Sequence, residues 1–290
     1  MTATRTPDSR TAESRTAGFT AEHRPADAAH AGAPTTVFLS ALFAGRWIWD
    51  APFAALSAAG RPALRVNEPV CAADGRVAGS IALLGDALVG LCDEAGVDRM
   101  VLCANSMGGM VAIDLAARLP ERVAGIVVSG APGLTPDPDI GLRMDQRTAG
   151  MMLSGPQFEE RMMAALFHRG RHLTDEQMHE VGGLLDRPAT MVAVARGIRA
   201  TRTYPVGRSL ESVRCPSLYL WGAHDRMTPV DPWVALIEDH PTSELVVVPE
   251  CGHIPMLETA DDYSARLLEF VSRLDDAPVP ATPVTAAAAS

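Results

Sequence analysis

Ala104-Asn105-Ser106-Met107-Gly108-Gly109 follows directly on the apolar run Met100-Val101-Leu102-Cys103 and opens a segment, 107–119, whose apolar spacing reads as a helix. A buried strand that runs into a serine on a tight turn and then into a helix is the layout of a nucleophile elbow. Such a turn lifts the hydroxyl clear of the sheet edge, and the helix N-terminus behind it favours negative charge on a reacting oxygen. Two later segments also place a polar group just past an apolar run: Trp221-Gly222-Ala223-His224-Asp225 and Cys251-Gly252-His253. The chain order Ser, Asp, His is that of a serine-hydrolase framework.

Working outward, six apolar runs of strand length fall at 36–42, 63–67, 99–104, 124–129, 217–221 and 244–248. Helical patterns separate them at 51–59, 80–94 and 107–119, and continue at 232–240 and 260–274. Strands alternating with helices predict an α/β fold, a mostly parallel central sheet flanked by helices. The stretch 135–210 breaks the alternation, with helical patterns alone at 141–152, 157–167, 175–185 and 188–201. Thr174-Asp175-Glu176-Gln177 is a helix start, with an N-cap and a Gln three residues on. Ligands of open α/β sheets bind outside the carboxyl ends of the strands, so an insertion leaving such an end is expected to cover the site as a helical cap. The expected division is therefore a core at 34–134 and 211–274, a cap (lid) at 135–210, and disordered tails at 1–33 and 275–290. The first tail is rich in Thr, Ala, Arg, Ser and Asp, without the apolar core of a signal peptide, and shows no leading β-hairpin. The second is rich in Pro and Ala.

Composition excludes several functions. A hydrophobic content of 47% with 21% charged residues describes a soluble chain with a sizeable core, and no stretch has the length of a transmembrane helix. The net charge of −10 argues against a nucleic-acid surface or a polybasic membrane contact. All 25 basic residues are arginine, and the absence of lysine removes Schiff-base chemistry and a P-loop. Cys71, Cys92, Cys103, Cys215 and Cys251 are odd in number, have no zinc-like spacing and lie mostly in apolar segments, so reduced thiols in the cytoplasm are expected. No His/Asp/Glu cluster has metal-ligand spacing, and neither metal nor cofactor is implied. The expected partner is a small-molecule substrate, with no nucleic acid and no membrane; the oligomeric state is left open.

With the elbow and the two later segments in hand, the chain resembles the α/β-hydrolase fold superfamily with a helical cap over 34–274. Asn105-Ser106-Met107-Gly108-Gly109 is similar to the elbow of the meta-cleavage-product C–C hydrolases and related esterases. The segments 216–226 (PSLYLWGAHDR) and 249–258 (PECGHIPMLE) resemble the superfamily's acid and histidine segments. The resemblance implies Ser106 as nucleophile, His253 as base and Asp225 as the acid that orients it, with Asp231 as fallback. The chemistry asks for the same three groups. A serine hydroxyl is a poor nucleophile until an imidazole takes its proton, and the imidazole needs a carboxylate to fix its tautomer.

The sequence departs from the family pattern in three places. Ala104 stands where the elbow usually has its first glycine. The oxyanion loop, which usually begins His-Gly, reads Leu39-Ser40-Ala41-Leu42-Phe43-Ala44-Gly45. Backbone amides do not depend on the side chain, so the N–H groups of Met107 and Leu42 are the expected oxyanion hole. Ile254-Pro255-Met256 follows the histidine where the C–C hydrolases usually carry tryptophan.

Expected substrate contacts are Asn105 beside the nucleophile, Trp47 after the oxyanion loop, Met152 and Met163 from a methionine-rich cap, and Arg196 and Arg199 as partners for a substrate carboxylate. Unbranched thioethers suit an adaptable apolar pocket. The reading that emerges is a hydrolase of a small, largely apolar ester, thioester, lactone or vinylogous acyl compound. A triad-dependent tailoring enzyme (acyl transfer, cyclisation or elimination) and a non-catalytic small-molecule binding protein are its alternatives.

Overall fold

The structure is a computed structural model that describes residues 13–134, 158–170 and 172–275. Its centre is an eight-stranded sheet in the order β1-β2-β4-β3-β5-β6-β7-β8. The strands are β1 (Glu13–Thr16), β2 (Phe19–Arg24), β3 (Thr35–Leu39), β4 (Ala63–Val66), β5 (Met100–Asn105), β6 (Val123–Ser129), β7 (Ser217–Gly222) and β8 (Ser243–Val248). From β4 to β8 every neighbouring pair is parallel. β3 to β7 are buried along their whole length, as strands covered on both faces must be, and this is why their sequences are near-continuous apolar runs.

Helices α1 (Asp50–Ala58), α2 (Gly75–Ala78), α3 (Ile81–Glu94), α4 (Met107–Arg118) and α9 (Asp231–Glu238) lie in the crossovers. After β8 come the short α10 (Pro255–Glu258) and then α11 (Ala260–Ser272). α11 packs on α1, and α3 on α4. Between β6 and β7 the chain inserts α5 (Phe158–Leu166), α6 (Asp175–Leu185), α7 (Pro188–Thr203) and α8 (Val206–Leu210). The start of α6 is the expected capping box: Gln177 N–H donates to Thr174 Oγ1 at 3.2 Å and Thr174 N–H to Gln177 Oε1 at 2.9 Å. α7 packs on α2 and α4, which seats the insertion on the core. The expected helix at 141–152, with Met144, Met151 and Met152, lies outside the described residues.

Two expectations about the ends are overturned. The stretch 1–33 is not a tail from Glu13 onward, because β1 and β2 form an antiparallel hairpin whose second strand pairs with β4. Ala17 and Gly18, at φ 54° and 92°, make the turn, a geometry that only glycine adopts at no cost. Phe19 and Ala21 face the core at 3% and 1% exposure. Glu22, the next residue along, helps anchor the hairpin: its Oε2 accepts from Arg65 Nη2 of β4 at 2.8 Å. Arg65 also bonds Asp50 and lies 4.4 Å over the Phe53 ring. Burial opposes ionisation of Glu22, but the Arg65 and Arg24 guanidiniums hold its carboxyl below the usual range. At the other end, Asp275 belongs to the fold: its carboxylate takes two hydrogen bonds from Arg61, at 2.9 and 2.6 Å.

The strand order sets the site. β3 connects to β4 on one side, whereas β5 connects to β6 on the other, and β3 and β5 are neighbours. Their carboxyl ends therefore flank a crevice at a topological switch point. Ser106 follows β5, and the loop of Leu42 follows β3.

Candidate active site

Ser106 sits at φ 55° and ψ −124°, a left-handed conformation rare outside glycine and typical of residues held under strain at functional turns. Its N–H donates to Ser129 O of β6 at 2.8 Å, and its carbonyl accepts from Gly109 N–H at 2.9 Å. Gly108 explains how the elbow closes on the crevice. A Cβ there would lie 2.8 Å from the carbonyl oxygens of both Leu39 and Ser40, so only glycine lets the start of α4 reach the end of β3. Ala104, where the elbow pattern usually has glycine, is fully buried, so its methyl group is packed at the strand end.

The loop after β3 is braced without His-Gly. The Ser40 hydroxyl donates to Gly45 O at 3.2 Å and accepts from Trp49 Nε1 at 3.1 Å. Ala41 O and Leu42 O accept from Val70 N–H and Cys71 N–H at 3.1 and 3.0 Å. Among the described residues, neither the Leu42 N–H nor the Met107 N–H has an acceptor. The second is one of the free donors that every helix N-terminus presents. Above them lies α7: a Cβ on Gly197 would meet Leu42 Cδ1 at 2.9 Å and Met107 Sδ at 3.3 Å.

His253 and Asp225 form a buried pair, 3% and 5% exposed, with Nδ1 and Oδ2 2.9 Å apart. A carboxylate only accepts, so Nδ1 carries the proton and Nε2 is left as the basic nitrogen. Asp225 Oδ1 accepts from the N–H groups of Met227 and Thr228, each at 2.9 Å. The Thr228 hydroxyl stands 2.8 Å from Asp225 Oδ2, 2.9 Å from Gly130 O and 3.1 Å from His253 Nδ1. Asp231 lies exposed at the start of α9 and stays outside this arrangement.

The two halves meet at the end of β6. Ser129 O holds the Ser106 N–H, and the next residue, Gly130, lies against the imidazole: a Cβ there would be 2.7 Å from His253 Cε1 and Nδ1. Asn105 ties the same point, with Nδ2 donating to Ser129 O at 3.2 Å and to His253 O at 3.1 Å. Its amide nitrogen is thus spent on backbone, while its Oδ1 is buried with no partner among the described residues. The polar partner Thr228 escapes sequence reasoning, although Thr three residues after Asp is a side-chain turn pattern that marks such a loop.

Other expected contacts separate. Trp47 is buried, and its Nε1 has no partner among the described residues. Beside it, Glu180 Oε1 of α6 comes within 2.9 Å of a Cβ placed on Gly45, so α6 overhangs this loop. Met163 of α5 is buried at 9% exposure. Arg196 packs its stem and guanidinium on Gly75 and Gly79, which places it in the contact between α7 and α2 and not in the crevice. Arg199 is exposed on α7. Burial pushes all five thiols up to about 12, so none is a reactive thiolate near neutral pH. No described helix is long and apolar enough to cross a membrane.

Comparison with known proteins agrees with this architecture. The family model described as "Alpha/beta hydrolase family" matches residues 36–266, and the chain belongs to that family. A 2-hydroxy-6-oxononadienedioate/2-hydroxy-6-oxononatrienedioate hydrolase of Burkholderia vietnamiensis is 29% identical over 196 residues, covering 64% of this chain and 67% of the relative. A 2-hydroxy-6-oxo-6-phenylhexa-2,4-dienoate hydrolase of Burkholderia cepacia is 26% identical over 199 residues, covering 64% and 67%. Among solved structures, an esterase of Thermogutta terrifontis superposes with a TM-score of 0.68 at 20% identity, covering 91% of this chain and 99% of its own. The enol-lactonase of Burkholderia xenovorans gives 0.68 at 18% identity, covering 90% and 100%. At these identities the solved structures speak for the fold.

Proposed function

We propose that the chain is a serine-dependent hydrolase of a small, largely apolar ester, thioester, lactone or vinylogous acyl compound. Ser106 is the nucleophile, His253 the base through Nε2, and Asp225 the group that holds the imidazole tautomer and stabilises the imidazolium. The tetrahedral oxyanion lies between the N–H groups of Leu42 and Met107, at the positive end of α4. The acyl-enzyme is then released by water, with His253 taking the water's proton. The single observation that carries the reading is the buried 2.9 Å pair of His253 and Asp225, lying against Gly130 beside the carbonyl that holds the strained Ser106.

The inserted helices act as the lid and choose the acyl group, a role supported by α7 over Leu42 and Met107 and by α6 over Gly45. The vinylogous arm of the substrate class is supported by the relatives named for 2-hydroxy-6-oxo-dienoate compounds. A reducing, cytoplasmic setting belongs to the same proposal, supported by five cysteines that are all unpaired.

A fluorophosphonate probe tests the nucleophile. It should add to Ser106 in the parent, as read by peptide mass, and not to Ser106→Ala. A panel of aryl esters, thioesters, lactones and vinylogous diketones, run in ¹⁸O-water, then reads the chemistry. Product acids carrying ¹⁸O are the expected result, whereas products free of it would mark acyl transfer or elimination.

A further inference from the structure

Away from the reacting atoms, the histidine loop is joined to the insertion by a carboxylate. Glu258, the last residue of α10, accepts from Gly252 N–H through Oε1 at 2.6 Å and from His168 N–H through Oε2 at 2.8 Å. One acceptor group thus spans two chain segments, just N-terminal to His253 on one side and just after α5 on the other. The neighbouring bond runs the opposite way, with His253 N–H donating to Leu166 O at 2.7 Å.

The segments touch so closely that a Cβ on Gly252 would lie 2.7 Å from Leu166 O, 2.8 Å from His168 N and 2.9 Å from Glu258 Oε1. Gly252 is not among the residues with positive φ, so close approach and not backbone twist requires the glycine. The acid loop is tied to the same turn: Arg226 Nη1 donates to Ala164 O at 3.0 Å, and the His224 and His168 rings stack at 3.9 Å with 17° between planes. Hydrogen bonds to an ionised acceptor are short and about twice as strong as neutral ones, and both Glu258 bonds have that character.

We infer that Glu258 is a positioning residue for His253: its carboxylate splices the 166–168 turn of the insertion onto the histidine loop, so that the base is in place only when the insertion is seated. The inference rests on the reading of His253 as the base. Glu258 acts through the Gly252 and His168 N–H groups, with the Cys251 thiol 3.8 Å from its Oε1. The insertion therefore contributes to turnover as well as to selectivity, and a displacement of 166–168 would disengage the base.

The test uses the full chain, with p-nitrophenyl butyrate and a small fluorophosphonate as probes, and compares Glu258→Ala, Glu258→Gln and Ser106→Ala. Displacing a catalytic group by about 1 Å costs about 10²-fold. Glu258→Ala is expected to lower kcat and the labelling rate of Ser106 by about 10- to 100-fold, with KM nearly unchanged and with faster amide exchange at Gly252 and His168. Glu258→Gln keeps one oxygen acceptor and should recover part of the loss. Labelling at the parent rate in a folded Glu258→Ala protein, or a loss confined to KM, would overturn the inference. If Glu258→Ala does not fold, parent-like kcat in Glu258→Gln overturns it, and a reduced kcat at constant KM sustains it. Turnover or labelling retained by Ser106→Ala would instead strike the nucleophile assignment, whatever Glu258 does.

Discussion

Ser106 takes its position from its own neighbourhood, the end of β5, one left-handed residue and the start of α4, whereas His253 takes its position from partners scattered along the chain. The bonds that hold the serine's backbone involve Ser129 and Gly109, both close by in sequence or on the adjacent strand. The histidine is held by Asp225, Asn105, Leu166 and, through Gly252, Glu258. A locally folded turn is rigid wherever the sheet is intact. A loop held by distant groups is only as well placed as the elements that carry them. The serine half is thus a property of the core, and the histidine half is shared between the core and the insertion.

The largest effect expected from breaking the comparison is on the nucleophile side. Ser106→Ala should lower turnover by up to about 10⁶-fold, because triad members act as a unit, with thermal stability close to the parent's. Steady-state kinetics and a melting curve check both. On the histidine side, Asp225→Asn should lower kcat by about 10⁴-fold by presenting the wrong imidazole tautomer, with labelling of Ser106 slowed in step.

Gly108→Ala probes the local half. Its Cβ would meet the Leu39 and Ser40 carbonyls at 2.8 Å, so the loop after β3, which carries the proposed oxyanion donor of Leu42, must move, and a loss of about 10²–10³ in kcat is expected at near-parent KM. A loss as small as that of a surface mutant would show that the elbow tolerates displacement and would narrow the contrast between the halves.

A control sharpens the comparison from outside the site. Glu22→Ala removes the partner of a buried arginine and should cost about 1.5–3 kcal/mol in denaturant unfolding while leaving Ser106 labelling unchanged. Truncation before Thr35 should do at least as much, because it removes β1 and β2 whole.

The smallest effect expected is a pH dependence at the junction. Burial, and the charge of His224 beside it, hold His168 below the ordinary 6.5, and both its ring nitrogens are enclosed without partners among the described residues. A base with a lowered folded pKa binds its proton more readily when unfolded. Stability should therefore fall as pH drops through about 6.5 and level off once the folded pKa is passed. His168→Phe keeps a ring against His224 and should flatten part of that fall. His23, also lowered by burial, accounts for a remainder. An unchanged pH profile in His168→Phe would remove His168 from the junction's energetics.

Much was legible because much of the signal is local. Continuous apolar runs mark strands buried on both faces, the Gly-Gly after Ser106 marks a helix start packed on carbonyls, and a Thr and a Gln three residues apart mark the start of α6. Where the expected strand at 36–42 ends early, at Leu39, the Ser40 hydroxyl has turned the chain by bonding Gly45. Asn105 illustrates the limit. It sits beside Ser106 in sequence, yet nothing local announces that its amide nitrogen bonds a carbonyl 148 residues away.

By itself, the sequence determined the fold class, the strand–turn–helix layout at Ser106 and the chain order of Ser106, Asp225 and His253, because apolar period, glycine spacing and chain order are written residue by residue. Only the tertiary structure decided that 13–24 is a sheet hairpin, that Arg196 belongs to a helix contact, and that Glu258 joins the histidine loop to the insertion. Each of these depends on a polar group whose partner is far away in sequence, 43 residues for Glu22 and Arg65 and 90 for Glu258 and His168. A charged residue on a short strand or at the end of one helical turn reads as solvated until the fold supplies its partner, because burial and pairing are properties of two segments together and of neither one alone.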